Sequence, residues 1–162
     1  MGDIFSNKIL LKKVESIIAS HNNDKHDLLA ILLETQEIIP ENYISRDVSE
    51  FIATSLKIPT SAVHSVISFY SALSDKPRGK YIVQICESTA CRVNKYETLK
   101  EALEKELNIK VGETTNDGQF TLMLTPCFGA CDISPAFRIG DEVYGNLTND
   151  SIKEIIESYR GM

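Results

Sequence analysis

The sequence predicts an α+β protein in which a helical first half precedes a mixed second half of strands and helices. Apolar residues of the first half recur at spacings of three and four, which is the period of an amphipathic helix. Beyond about residue 75, short runs of β-branched and alternating apolar residues predict strands. The segment SDKPRGK at 74–80 combines proline, glycine and positive charge, as domain boundaries often do. We therefore predict a helical domain over 1–75 and an α/β domain over 76–162.

Four helices are predicted in the first half. Their apolar positions run, in chain order, from Ile9 to Ile18, from Leu28 to Thr35, from Phe51 to Leu56 and from Val63 to Tyr70. Asp47 and Glu50 stand three positions apart, which resembles a capping box at the start of the third helix. Pro40 ends the second helix, and Pro59 opens the fourth.

The second half is predicted to alternate strands with helices. The predicted elements are a strand from Tyr81 to Cys86, a helix with Leu99, Leu103 and Leu107 on one face, a strand from Phe120 to Leu124, a hairpin around Gly140-Asp141, and a last helix from Ile152 to Tyr159. Strands and helices in this order indicate a sheet that is covered by helices.

Composition and charge exclude several classes of protein. The chain is 43% hydrophobic and 25% charged, as in globular proteins. Its net charge of −6 argues against a nucleic-acid partner, which requires an excess of lysine and arginine. No apolar run approaches the ~18 residues of a membrane span, so direct membrane insertion is not expected. The start, MGDIFSNK, lacks a basic region followed by an apolar stretch, so a cytoplasmic location is expected.

The chain's four cysteines form two close pairs. Cys86 and Cys91 have the spacing C-x4-C, and 35 residues follow before the next pair. Cys127 and Cys131 have the spacing C-x3-C. Each pair begins where a predicted strand ends, and such positions let a rigid sheet present ligands. Four interpretations are open: a [2Fe–2S] cluster bound by all four thiolates, a structural zinc site with the same ligands, two disulfides, or four unrelated thiols.

Spacing alone leaves the cluster and the zinc site open. Disulfides fit poorly with a chain that shows no export signal, and unrelated thiols would not be expected in two pairs at strand ends. Zinc pairs usually span C-x2–4-C, and both spacings here lie at the wide end of that range. Plant-type ferredoxins use a C-x2-C pair, which this chain lacks.

The residues beside the cysteines favour the cluster. A [2Fe–2S] unit with four thiolates is negatively charged, so N–H donors and positive charge are expected near its sulfurs. Small residues in TPCFGAC at 125–131 let the backbone approach closely, and Ser88, Thr89 and Ala90 do the same in the loop between the first pair. Arg92 and Lys95 supply candidate positive charge, although a solvated helix start is the other interpretation of these two residues.

No other catalytic or cofactor site is predicted. A Rieske-type cluster needs two histidine ligands, and His21, His26 and His64 lie far from the cysteines in sequence. The chain lacks the redox motif C-x-x-C. It also lacks a glycine-rich phosphate loop for a nucleotide. The chain therefore has no visible site of its own for NAD or a flavin.

With these motifs in place, the second half resembles the thioredoxin-like [2Fe–2S] ferredoxins. The matching segments are CESTACR, GETTNDGQFTL, PCFGACDISP and VYGNLT, together with LLETQEIIPENYI and IPTSAVHSVISFYSAL in the first half. From about residue 10 to 160, the chain resembles the small iron–sulfur subunit of the NADH-oxidising module of respiratory complex I. That subunit type recurs in NAD(P)-linked hydrogenases, including electron-bifurcating ones, and in NAD-linked formate dehydrogenases. The chain departs from the family pattern at residues 87–90 and at Phe128, where leucine is common.

The resemblance implies a helical bundle followed by a thioredoxin-like domain that holds one [2Fe–2S] cluster. The implied ligands are Cys86, Cys91, Cys127 and Cys131. The implied function is that of a non-catalytic electron-transfer subunit. Its implied partner is a flavin- and NAD(P)H-binding iron–sulfur subunit within a hydrogenase, formate dehydrogenase or complex I-type assembly. A zinc-stapled interaction module without a redox role is the alternative.

The helical domain is the expected docking element for that partner, because it carries none of the cysteines. Its expected contributors are Val63, Val66, Ile67 and Tyr70. For the pair Phe69-Tyr70, ordinary helix core is the expected environment, and an exposed docking edge is the other interpretation.

Overall fold

The structure, a computed structural model, describes residues 8–161. Two compact units are present, one ending at Pro77 and the other beginning at Arg78. The start of the chain, on which the expectation about location depends, lies outside the described residues apart from Lys8. Within residues 8–161, no helix is both long enough and apolar enough to cross a membrane.

Four helices build the first unit, as predicted. They are α1 (Lys8–Ser20), α2 (Leu28–Glu37), α3 (Arg46–Leu56) and α4 (Thr60–Phe69). The predicted capping box at Asp47 and Glu50 is wrong. Ser45 is the N-cap, since its side chain accepts a hydrogen bond from the Val48 amide at 3.3 Å. Asp47 therefore lies within the first turn, where a negative charge still favours the helix dipole.

The four helices enclose an apolar core that includes Val14, Ile31, Ile52 and Val63. A buried glutamine, Gln36, fastens the chain that follows α4 to this core. Its amide nitrogen donates to the Ala72 carbonyl at 2.9 Å, and its amide oxygen accepts from the Ser74 amide at 2.8 Å. Both polar ends of the side chain are therefore satisfied, which is what burial requires.

The end of α4 differs from the sequence expectation. Val63 and Ile67 are buried within the unit's own core, so their side chains are not available to a partner. Phe69, expected in the core, is 79% exposed, and Tyr70 is 41% exposed. The two rings contact each other edge to face, with their centroids 5.0 Å apart. The exposed apolar feature of this helix is therefore its carboxyl end and not its Val63 face.

The second unit is a four-stranded sheet with helices, and the predicted α+β class is confirmed. Its elements are β1 (Tyr81–Cys86), α5 (Thr89–Val93), α6 (Tyr96–Leu107), β2 (Phe120–Thr125), β3 (Phe137–Ile139), β4 (Glu142–Tyr144) and α7 (Asn149–Arg160). The strand order is β2-β1-β3-β4. β1 and β2 run parallel, while β3 is antiparallel to both of its neighbours. The hairpin at Gly140-Asp141 forms as predicted.

Successive residues of β1 point to opposite faces of the sheet. Val83 and Ile85 point into a core that also contains Leu103 of α6 and Ile156 of α7. Gln84 and Cys86 therefore belong to the opposite face. This alternation places the first cysteine at the end of the central strand, on the opposite face from Val83 and Ile85, and Cys86 is still buried in the same apolar cluster.

Candidate metal centre

The parallel pairing of β1 and β2 brings the two cysteine segments together. Cys86, the last residue of β1, stands opposite Thr125, the last residue of β2. The Glu87 amide donates to the Thr125 carbonyl at 3.1 Å, so the pairing continues one residue beyond β1. Because both strands end at the same edge of the sheet, Cys127 emerges two residues later beside Cys86.

The first cysteine pair is buried. Cys86 and Cys91 are each 2% exposed. The Cys86 amide donates to the Ala136 carbonyl at 3.1 Å, which fixes the strand end. Cys91 lies on the short helix α5, where a loop had been predicted for Ser88, Thr89 and Ala90. Burial raises the pKa of the Cys91 thiol, and the neighbouring Cys86 thiol adds to the rise.

The second pair is exposed. The Sγ atoms of Cys127 and Cys131 lie 3.6 Å apart. The Gly129 amide donates to the Cys127 Sγ at 3.4 Å, and Gly129 has a φ of +94°, which suits glycine. That N–H lowers the pKa of Cys127. The hydrogen bond with Cys127 raises the pKa of Cys131. A backbone donor thus favours the thiolate form of Cys127, as the small residues of the loop predict.

Cys86 adjoins both pairs, since its thiol raises the pKa of Cys91 and lowers the pKa of Cys127. Two thiolates that share one tetrahedral metal at about 2.3 Å lie about 3.8 Å apart, and the 3.6 Å between Cys127 and Cys131 is close to this distance. Within residues 8–161, no point gathers three or more His, Cys, Asp or Glu side chains around a single ion. Two adjoining pairs of thiols suit a binuclear cluster, in which each iron needs two protein ligands.

The turn that carries Cys131 is held from two sides. It is a single 3₁₀ turn over Cys131–Ile133. The Asn94 side chain, just after α5, donates to the Ser134 hydroxyl at 2.6 Å. On the other side, the Asn146 amide donates to the Ile133 carbonyl at 3.1 Å. Elements far apart in sequence therefore fix the position of the fourth cysteine.

The charges near the cysteines differ from the sequence expectation. Arg92 is directed at Glu87 and not at a sulfur: it donates to the Glu87 carbonyl at 2.7 Å and to its carboxylate at 3.1 Å. Sequence reasoning missed Arg138 on β3. Its guanidinium lies 5.5 Å from the centre of the ring of Phe128, the residue that stands between Cys127 and Gly129 in the chain. The available signal was the alternation of Phe137, Arg138 and Ile139, which turns the arginine away from the core.

Comparison with known proteins identifies related chains. The family model for thioredoxin-like [2Fe–2S] ferredoxins matches residues 14–160. The E subunit of the NADH-quinone oxidoreductase from Escherichia coli strain K12 is 43% identical over 109 residues, which cover 67% of this chain and 66% of that protein. The HndA subunit of the NADP-reducing hydrogenase from Solidesulfovibrio fructosivorans is 31% identical over 150 residues, which cover 93% of this chain and 86% of that protein.

A solved structure shares the fold. The crystal structure of an NAD+-reducing [NiFe]-hydrogenase in the air-oxidized state matches with a TM-score of 0.71 at 20% sequence identity. The match covers 83% of this chain and 23% of the hydrogenase chain. At this identity, the likeness is evidence for the fold alone.

Proposed function

This chain belongs to the thioredoxin-like [2Fe–2S] ferredoxins, whose cofactor is a [2Fe–2S] cluster, and we propose that it transfers single electrons as a subunit of an NAD(P)H-linked oxidoreductase. The observation that supports the proposal is that β1 and β2 end at one edge of the sheet, so that the segments carrying the two cysteine pairs adjoin there. A bound [2Fe–2S] cluster takes up and releases one electron at a time. The chain itself catalyses no hydride transfer in this proposal.

The proposed ligands are Cys86 and Cys91 for one iron and Cys127 and Cys131 for the other. The buried pair excludes water from one side of the site, since Cys86 and Cys91 belong to the buried cluster of the sheet unit. The exposed pair leaves the other side open to a redox partner. The Gly129 amide stabilises negative charge on the Cys127 sulfur, as hydrogen bonds to cluster sulfurs do.

Metal analysis tests the proposed ligands. Purified anaerobically with cluster assembly intact, the chain should contain about two irons and two labile sulfides and absorb visible light. Replacing any one cysteine by serine should lower the iron and sulfide content. A colourless preparation that is replete with zinc and free of iron would instead support the zinc-stapled module.

The proposed partner is a flavin- and NAD(P)H-binding iron–sulfur subunit. One relative is named as a subunit of an NADH-quinone oxidoreductase, and another is named as a subunit of an NADP-reducing hydrogenase. A complex I-type or hydrogenase assembly therefore has direct support, while a formate dehydrogenase rests on the family resemblance. The E. coli match spans 66% of that relative, so the activity of the whole assembly and a cytoplasmic location are parts of the proposal.

Electron delivery tests the division of labour. NAD(P)H should bleach the visible absorption of this chain only when the flavoprotein is present, because the flavin must split the hydride's electron pair. Reduction of the isolated chain at the same rate would contradict the proposal.

We propose that the helical unit docks this partner through the exposed end of α4. Phe69 and Tyr70 form the aromatic edge there, and exposed aromatic residues are enriched at interfaces. Phe69→Ser together with Tyr70→Ser should weaken co-purification with the flavoprotein. Ser65→Ala, one turn earlier and also exposed, is the control. Undiminished co-purification of the double variant would remove the docking role and leave electron transfer intact.

A further inference from the structure

Arg138 differs from Arg92 in how its charge is balanced. Arg92 is neutralised by Glu87 at 3.1 Å. Arg138 makes no ion pair with any carboxylate of residues 8–161, and its two contacts are with uncharged groups. Its Nε donates to the Gln84 side-chain oxygen at 2.7 Å, and its guanidinium lies over the Phe128 ring at 5.5 Å. A full positive charge is therefore held in place without being cancelled.

The sheet register places this charge beside the cysteines. Arg138 of β3 stands directly opposite Gln84 of β1. Cys86 is two residues beyond Gln84 on the same face, a separation of about 7 Å along the strand. Phe128 directly follows Cys127 in the chain, so the guanidinium also reaches the exposed loop. The charge thus lies between the end of the central strand and the loop that carries the second pair.

We propose that Arg138 is a positioning residue that raises the reduction potential of the cluster, by holding the Cys127 loop through Phe128 and placing an uncompensated positive charge beside it. The inference rests on the proposed function. The cluster gains one negative charge when it accepts one electron from a reductant, and a nearby cation stabilises the reduced state more than the oxidised one. Half-burial of Arg138 limits the screening of its charge by solvent.

The expected effect follows from the size of one charge. For a cation roughly 10 Å from the cluster at a partly solvated site, we expect a change of about three- to tenfold in the equilibrium constant for reduction. For a one-electron couple, this corresponds to ~30–60 mV. The shift in Arg138→Gln should be towards more negative potentials, and it should shrink as salt is added.

A dithionite titration with redox mediators, followed by visible absorption and electron paramagnetic resonance on the full chain, measures this potential. Arg138→Gln should titrate at a more negative potential than the wild type, and Arg138→Lys, which retains the charge, should recover most of the difference. Lys80→Gln is the matched control. Lys80 also places a cation over a ring, 4.7 Å from the centre of Tyr81, but at the opposite end of β1. An unchanged potential in Arg138→Gln, or an equal shift in Lys80→Gln, would overturn the inference.

A second variant decides the matter if Arg138→Gln assembles no cluster. Phe128→Leu keeps the charge and removes the ring that holds it. Phe128→Leu should make the reduction potential more negative by a smaller amount than Arg138→Gln does. It should also speed amide hydrogen exchange at Gly129. An unchanged potential in Phe128→Leu would overturn the inference. A wild-type chain that binds no iron and sulfide would overturn the proposed function as well, whereas a wild-type cluster that is indifferent to Arg138 would overturn this inference alone.

Discussion

The helical unit, which ends at Pro77, and the sheet unit, which begins at Arg78, bury apolar cores of similar size, yet these cores contain different polar groups. In the helical unit, a buried amide such as Gln36 finds both of its partners within the unit. In the sheet unit, the core includes the thiols of Cys86 and Cys91, and the other two thiols, Cys127 and Cys131, are exposed. The first unit therefore anchors the chain after α4 with its own buried amide, while the second carries the four thiols that are proposed to bind the cluster.

Loss of a cysteine ligand should give the largest difference in stability between the two units. The free energy of metal binding adds to the free energy of folding when the site is absent from the unfolded chain, and for structural zinc in small peptides it is about 10 kcal/mol. That value is comparable with the whole stability of a domain. Cys131→Ala should therefore remove amide-exchange protection from β1, β2 and β3 while α1 to α4 keep theirs. Unchanged protection over residues 80–160, measured by hydrogen exchange, would contradict the comparison.

A backbone clash should weaken the sheet unit alone. A Cβ at Gly145 would overlap the backbone and side chain of Ile133, in the turn that begins at Cys131. Overpacking of this kind costs about 1–3 kcal/mol, so Gly145→Ala should lower the stability of the sheet unit and its iron content. Gly161→Ala is the control, because a Cβ there meets its nearest atom at an ordinary 3.7 Å. Equal melting temperatures and iron contents for the two variants would refute this account.

An unsatisfied amide should weaken the helical unit alone. Gln36→Leu would leave the Ala72 carbonyl and the Ser74 amide without their side-chain partner. Because Ala72 is exposed and Ser74 is half-buried, water can replace the lost partner, and each lost hydrogen bond costs about 0.5–1.5 kcal/mol. Residues 70–77 should exchange faster, while β1 and β2 keep their protection. Glu37→Ala, at the exposed neighbouring position, should change neither region, and a similar loss in that variant would show that the buried amide is unimportant.

The smallest expected effect is a pH dependence confined to the helical unit. His21 contacts Glu34 at 3.0 Å and Asp27 at 3.2 Å, and these contacts raise its pKa, with Glu34 as the larger cause. A raised pKa in the folded state stabilises the fold below the unfolded-state value near 6.5, and this contribution disappears as pH rises through the folded-state pKa. The melting temperature of the helical unit should therefore fall as the pH is raised from slightly acidic to alkaline values. The slope should flatten in Glu34→Gln, and an unchanged slope would contradict the role of this contact.

Local sequence patterns predicted most of the secondary structure. Apolar spacing located α1, α2 and α4 because helical neighbours are three and four residues apart. A β-branched and aromatic run located β1, alternation located β2, and the turn signal at Gly140-Asp141 located the hairpin. The start of α3 was misplaced because Ser45 and Asp47 are both acceptable N-cap residues, and only the backbone dihedral angles choose between them.

The environment of the candidate site could be predicted only in part. Small residues around Gly129 predicted a backbone donor near sulfur, and the structure has one. The role of Arg92 could not be predicted, because the folded chain places Glu87 within its reach. Arg92 binds Glu87 in place of a cysteine sulfur. Short helix α5 was missed because Ser88 to Ala90 have no apolar period long enough to indicate a helix.

The sequence by itself determined the class of fold, the two close cysteine pairs at strand ends and the absence of a nucleotide motif. Each of these features depends on a pattern among residues that are a few positions apart in the chain. Only the tertiary structure decided which pair is buried, which arginine is left uncompensated and which apolar residues of α4 are exposed. These properties depend on contacts between distant segments: Gln84 and Arg138 are 54 positions apart, and the register between β1 and β3 joins them. Strand register is set by packing over the whole sheet, which no local pattern records.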